Sequence, residues 1–173
     1  TIVLSETKRP QLLNPLLKHL ESGQQAYWVC PLIEASESEG MQHLNTIEEH
    51  LKTLQEFFRD TQNIQVESIH GKLKNTEKEA IMQRFIQNKT QLLIATTVIE
   101  VGVNVPNASI MIIENSERLG LAQLHQLRGR VGRGTQKSSC ILLYHSPLSY
   151  MGKERLETLR KTQDGFIIAE KDL

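Results

Sequence analysis

The run Ser109-Ile110-Met111-Ile112-Ile113-Glu114-Asn115 decides how this chain must fold. A strand with one wet face alternates apolar and polar residues. Four large apolar residues in a row instead suit a strand covered on both faces, the habit of parallel sheets. A second run, Cys140-Ile141-Leu142-Leu143-Tyr144, reads the same way. Together with three further β-like runs they predict strands over residues 25–33, 64–70, 91–97, 109–115 and 139–145.

Helical patterns lie between these runs. Met41, Leu44, Ile47, Leu51, Leu54 and Phe58 recur at steps of three and four, which predicts an amphipathic helix. Thr76 and Glu79 have the spacing of a capping box, with Ile81, Met82, Phe85 and Ile86 as the expected inner face. Leu121, Leu124 and Leu127 give the inner face of another helix. Leu12, Leu13, Leu16, Leu17 and Leu20 repeat helically near the start. Pro15 leaves two readings there: Asn14 caps a helix beginning at Pro15, or a longer helix kinks. A last helix is expected over about 147–162, ahead of Gly165-Phe166-Ile167-Ile168. Strands alternating with helices imply βαβ units, hence an α/β fold with a mostly parallel sheet and helices on both faces. Ligands of such sheets bind at the carboxyl ends of the strands.

The 173 residues suffice for one domain with a real core. Charge is balanced, with 20 basic and 20 acidic residues, so bulk electrostatics names no partner. Its distribution is uneven. From Arg118 to Lys153, both included, there are six basic residues and no acidic one, while acids gather around Glu34 to Glu39. A neutral total can hide a basic face. Cys30 and Cys140 lack metal-ligand and disulfide-framework spacing and are expected as buried thiols, the habit of a cytoplasmic protein. No apolar run approaches a membrane span, so no membrane partner is expected.

The chemistry concentrates after the fourth helical pattern, in Gln126-Leu127-Arg128-Gly129-Arg130-Val131-Gly132-Arg133-Gly134. Glycines let backbone approach a ligand closely, and arginine forks bind phosphate oxygens bidentately. A solvated basic turn at a helix end is the plainer reading. Thr96-Thr97-Val98-Ile99-Glu100-Val101-Gly102-Val103-Asn104 follows the third predicted strand. Two hydroxyls there suit a phosphodiester contact, and equally a helix cap. His70-Gly71 follows the second strand, where a loop histidine is by itself unremarkable. Trp28 reads as packing rather than as a base-stacking platform.

Gln126 to Arg133 resembles motif VI of the superfamily-two helicases, and Thr96 to Pro106 resembles their motif V. The blocks from Ala26 to Glu37, from Thr96 to Asn115 and from Ser116 to Gly134, and the tail from Asp164 to Leu173, resemble the branch-migrating DNA helicases of that superfamily. The resemblance covers nearly the whole chain. It implies a RecA-like three-layer αβα lobe over 1–146, the second of two, followed over 147–173 by a helix and the start of the next segment. It implies Arg130 and Arg133 as the catalytic arginines at the γ-phosphate of ATP. Gln126, Gly102 and Asn104 would line the ATP cleft, Asn104 standing where the family pattern has Asp. Thr96, Thr97, His70 and Gly71 would face DNA. Partners implied are branched duplex DNA and, within one longer chain, a first lobe and a wedge domain. ATP and its Mg²⁺ would be held mainly by that first lobe, with no metal ligand expected here. The chain has no G-x-x-x-x-G-K-[ST] loop, so by itself it is expected not to hydrolyse ATP. Two other readings are the same lobe of a transcription-repair coupling factor, which shares the glutamine-arginine block, and a stand-alone nucleic-acid-binding module.

Overall fold

A computed structural model describes residues 2–31, 37–59, 61, 63–71, 73–95, 105, 107–128, 139–145 and 150–161. Six strands make one sheet: β1 (Ile2–Ser5), β2 (Gln25–Val29), β3 (Val66–Ile69), β4 (Leu92–Ala95), β5 (Ala108–Ile113) and β6 (Ser139–Tyr144). Their order is β1-β6-β5-β2-β4-β3 and every pair is parallel. The helices are α1 (Arg9–Glu21), α2 (Glu37–Phe58), α3 (Asn75–Ile86), α4 (Leu121–Arg128) and α5 (Tyr150–Lys161). This is the α/β architecture that the continuous apolar runs require. Central strands β2 and β4 are buried at every residue, because helices cover both faces.

The core splits into two layers by strand alternation. Ala26, Trp28, Leu92, Ile94 and Ile112 face one way, with Leu16 and Leu20 of α1 and Ile47, Leu54 and Phe58 of α2. Tyr27, Val29, Leu93, Met111 and Ile113 face the other, with Phe85 of α3, Leu124 and Leu127 of α4 and Leu156 of α5. Crossovers from β1 and β2 therefore pass one face, and those from β3 and β5 pass the other. Both cysteines are buried and neither is in a disulfide. Among the described residues no helix is long and apolar enough to cross a membrane.

Several local expectations are corrected. β1 was not among the five expected strands; it is four residues long, sits at the sheet edge and leaves Ile2 exposed, so its sequence carries little period. Of the two readings of Pro15, the start there does not occur; Pro15 lies inside one longer helix. The α1 helix begins at Arg9 with Pro10 in its first turn and continues through Pro15. Burial of Leu16 and Leu20 outweighs the one hydrogen bond a proline removes. The capping box is not made. Helix α3 takes extended Lys74 as its cap, two residues ahead of Thr76, and the Lys74 side chain makes no capping hydrogen bond. Ile86 is 42% exposed while its neighbour Phe85 is fully buried, so the inner face ends at Phe85. Ile47, Leu54 and Phe58 lie inward as expected; the side chains of Met41 and Leu44 lie outside the described set.

Candidate functional site

All six strands are parallel, so their carboxyl ends share one edge of the sheet. Register places Ile69 of β3 opposite Ala95 of β4, Ala95 opposite Val29 of β2, and Val29 opposite Ile113 of β5. Four strands thus end at one level. The chain leaves β2 towards the α2 face and leaves β5 towards the opposite face. Neighbouring strands whose connections diverge in this way open a crevice at their carboxyl ends, where α/β sheets take ligands.

His70 and Gly71 leave the sheet at that edge, directly after Ile69. His70 is partly exposed and its carbonyl accepts from the Leu73 amide at 3.3 Å, which tightens the turn into α3. Gln126 lies on α4 with its side chain exposed, while Leu124 and Leu127 beside it fix the helix to the core. Thr96, Thr97, Gly102, Asn104, Arg130 and Arg133 lie outside the described residues. Their anchors are inside. Thr96 follows Ala95, the last residue of β4, and Arg130 comes two positions after Arg128, the last residue of α4.

Trp28 is a packing residue, as its sequence context suggested, and it also marks a feature that motif reading missed. Glu114 sits just past the end of β5, 3% exposed. Its carboxylate accepts from Arg9 Nε and Arg9 Nη2, both at 2.6 Å, and from Trp28 Nε1 at 3.1 Å. Its amide donates to the Val29 carbonyl at 2.8 Å. Arg9 also stands 3.8 Å from Glu6, whose other oxygen lies 2.5 Å from His145 Nδ1. The network thus links the carboxyl ends of β1, β2, β5 and β6. The hydrogen bond to Glu114 raises the Arg9 pKa against the lowering effect of burial. On the same face, burial pushes the Cys30 thiol up, with the Glu114 charge adding to it. Burial also pulls the His50 imidazole below its ordinary value. A buried acid just after I-M-I-I was the available sequence signal, because a lone carboxylate in such a run requires a partner.

Beyond Glu114 the path to α4 is held at each turn. Asn115 takes the left-handed conformation with φ +47°, which asparagine tolerates. Ser116 Oγ donates to the Leu143 carbonyl at 2.9 Å. The Leu119 amide donates to the Ser116 carbonyl at 3.2 Å, and the Leu124 amide to the Gly120 carbonyl at 3.0 Å.

This arrangement is one found in known proteins. Residues 8–135 match the helicase conserved C-terminal domain. The chain belongs to that helicase family. A curated relative from Acidithiobacillus ferridurans, ATP-dependent DNA helicase RecG, is 53% identical over 173 residues, which cover 100% of this chain and 24% of the relative. The RecG of Escherichia coli strain K12 is 51% identical over 174 residues, again all of this chain and 24% of the relative. This helicase C-terminal domain therefore spans about a quarter of the length of the curated relatives it matches. A solved structure of RecG bound to a three-way DNA junction is similar with a TM-score of 0.80 and 36% identity, covering 99% of this chain and 21% of that one. The sheet and its flanking helices are accordingly the RecA-like fold of helicase C-terminal lobes.

Proposed function

We propose that this chain is the second motor lobe of an ATP-dependent DNA helicase that remodels branched DNA, such as stalled forks and Holliday junctions, in recombination and repair. The observation that carries the reading is its identity of about one half, across the entire chain, to helicases named RecG. The relative's structure on a three-way junction supports branched duplex DNA as the partner. Residues 1–146 form the lobe, and 147–173 carry the helix that leads into the next segment. A first lobe and a wedge domain of the same longer protein complete the machine, which works in the cytoplasm.

Arg130 and Arg133 approach the γ-phosphate of ATP held by the first lobe. Two guanidinium forks there neutralise charge that spreads over the phosphoryl oxygens as the bond to the leaving group lengthens. Gln126, exposed on α4 just ahead of them, couples the lobes, while Gly102 and Asn104 line the cleft. Among the described residues no group of three or more His, Cys, Asp or Glu side chains is placed to hold a metal. ATP and its Mg²⁺ are held mainly by the first lobe. His70 and Gly71, at the sheet edge, face the DNA backbone with Thr96 and Thr97. Closing of the lobes on ATP and reopening after hydrolysis convert turnover into stepping along DNA.

The test is Arg133→Ala in the full-length protein. Turnover with saturating branched DNA should fall by roughly 10³- to 10⁵-fold with an unchanged thermal melt, the magnitude typical of arginine fingers. Arg133→Lys should rescue poorly, because it keeps the charge and loses the fork. Near-normal turnover in Arg133→Ala would refute the assignment.

A further inference from the structure

We propose that Arg9 and Glu114 are positioning residues: their buried ion pair pins the end of β5 and so aims α4, with the arginines that follow it, at the nucleotide. The inference rests on the motor-lobe reading and goes beyond it, since neither residue is among those assigned above to ATP or DNA.

The geometry has three parts. First, Glu114 is held from two directions. Its amide is bonded to β2, and its carboxylate takes three donors, two from one guanidinium and one from the Trp28 indole. A planar fork on a carboxylate fixes orientation as well as distance. Second, the pin acts from the face opposite α4. Glu114 points into the layer of α1 and α2, whereas Leu124 and Leu127 of α4 pack in the other layer. The strand end is thereby clamped from both sides. Third, little slack lies between the pin and α4. Asn115, Ser116 and Leu119 are each set by a left-handed turn, a side-chain bond or burial. A rotation or slide of Glu114 is passed to α4 rather than absorbed by a loop.

A pair that served stability alone would belong anywhere in the fold, and the molecule contains one. Arg84 of α3 grips Glu67 of edge strand β3 through Nε at 3.0 Å and Nη2 at 2.6 Å, far along the sheet from β5. That exposed clamp touches nothing on the path to α4 and is the natural control. The Arg9 pair differs in that one partner is almost wholly buried, and in its position at the root of the segment that carries Gln126.

The experiment is steady-state ATP hydrolysis by the full-length protein on saturating branched DNA. It compares Glu114→Gln, Arg9→Lys, Arg84→Ala and Arg133→Ala, each with a thermal melt. Glu114→Gln keeps the shape and loses the charge, and Arg9→Lys keeps the charge and loses the fork. Misplacing a catalytic group by about 1 Å costs up to roughly a hundred-fold, so kcat should fall by about ten- to a hundred-fold in both. KM for ATP should stay within about two-fold, because aim matters most in the transition state. Arg84→Ala should keep its turnover even where its melting temperature falls. If Glu114→Gln does not fold, Arg9→Lys decides alone. Full kcat in the folded pin variants, a loss confined to KM, or an equal loss of kcat in Arg84→Ala would each overturn the positioning role. Collapse in Arg133→Ala beside full turnover in the pin variants would sink this inference and leave the motor-lobe reading standing. Full turnover in Arg133→Ala would remove that reading itself.

Discussion

The rings of Tyr27 and Phe85 meet with centroids 5.0 Å apart and planes inclined at 54°. They join the middle of the sheet to α3, and Phe85 is fully buried. The Phe85 carbonyl also accepts from Nε2 of the buried Gln25 side chain at 2.5 Å, so ring and backbone of one residue fasten α3 to β2. Replacing Phe85 with Ala should destabilise the chain by about 3–5 kcal/mol, from lost burial and the cavity left behind. The neighbouring Ile86→Ala should cost within about 0.5 kcal/mol, as expected of a surface position. Urea unfolding of the two variants side by side measures both, and equal losses would contradict the packing described.

Stability should fall on mild acidification because of His50. Burial lowers its pKa in the folded state, outweighing the raising effect of the nearby Glu114 charge. The unfolded chain, with histidine near about 6.5, then binds more protons over the interval between the two values. Stability rises with pH wherever the unfolded state binds more protons, so the contribution is complete above about pH 7 and is lost as pH drops below about 6.5. His19, also lowered by burial, acts in the same direction. Thermal melts at stepped pH should show the loss, and His50→Gln should flatten the curve. An unchanged slope in that variant would assign the pH dependence elsewhere.

Thr97→Val in the full-length protein keeps size and β-branching and deletes the hydroxyl. If Thr97 touches a DNA phosphate, half-maximal stimulation of ATP hydrolysis should need several-fold more DNA, since one neutral hydrogen bond is worth about 0.5–1.5 kcal/mol. Turnover without DNA should stay the same. An unaltered DNA dependence would make the residue a helix cap instead.

The 173-residue chain alone should not hydrolyse ATP, because its sequence has no phosphate-cradling G-x-x-x-x-G-K-[ST] loop. A phosphate-release assay with Mg²⁺ and branched DNA checks this. Turnover above the buffer rate would mean that a single lobe suffices, against the two-lobe mechanism.

What the sequence determined by itself was periodicity and motif chemistry. Ile110 to Ile113 and Cys140 to Tyr144 read as strands covered on both faces, because continuous apolar runs offer no wet side. Five strands, the parallel sheet and the helices between them follow from such local patterns. The arginine-glycine block was legible in another way, through its resemblance to a helicase motif; its spacing alone left a solvated basic turn open. Other features had no local signal. The edge strand from Ile2 to Ser5 exists only because β6 offers it partners. Pro15 stays inside α1 because Leu16 and Leu20 find a core, and Lys74 rather than Thr76 caps α3 because of the turn that precedes it. Arg9 and Glu114, 105 positions apart in sequence, meet only in the folded chain. Hydrophobic periodicity reports which face of an element is dry, whereas a buried ion pair depends on which strand ends become neighbours. That is decided by sheet order, and sheet order is a property of the whole chain.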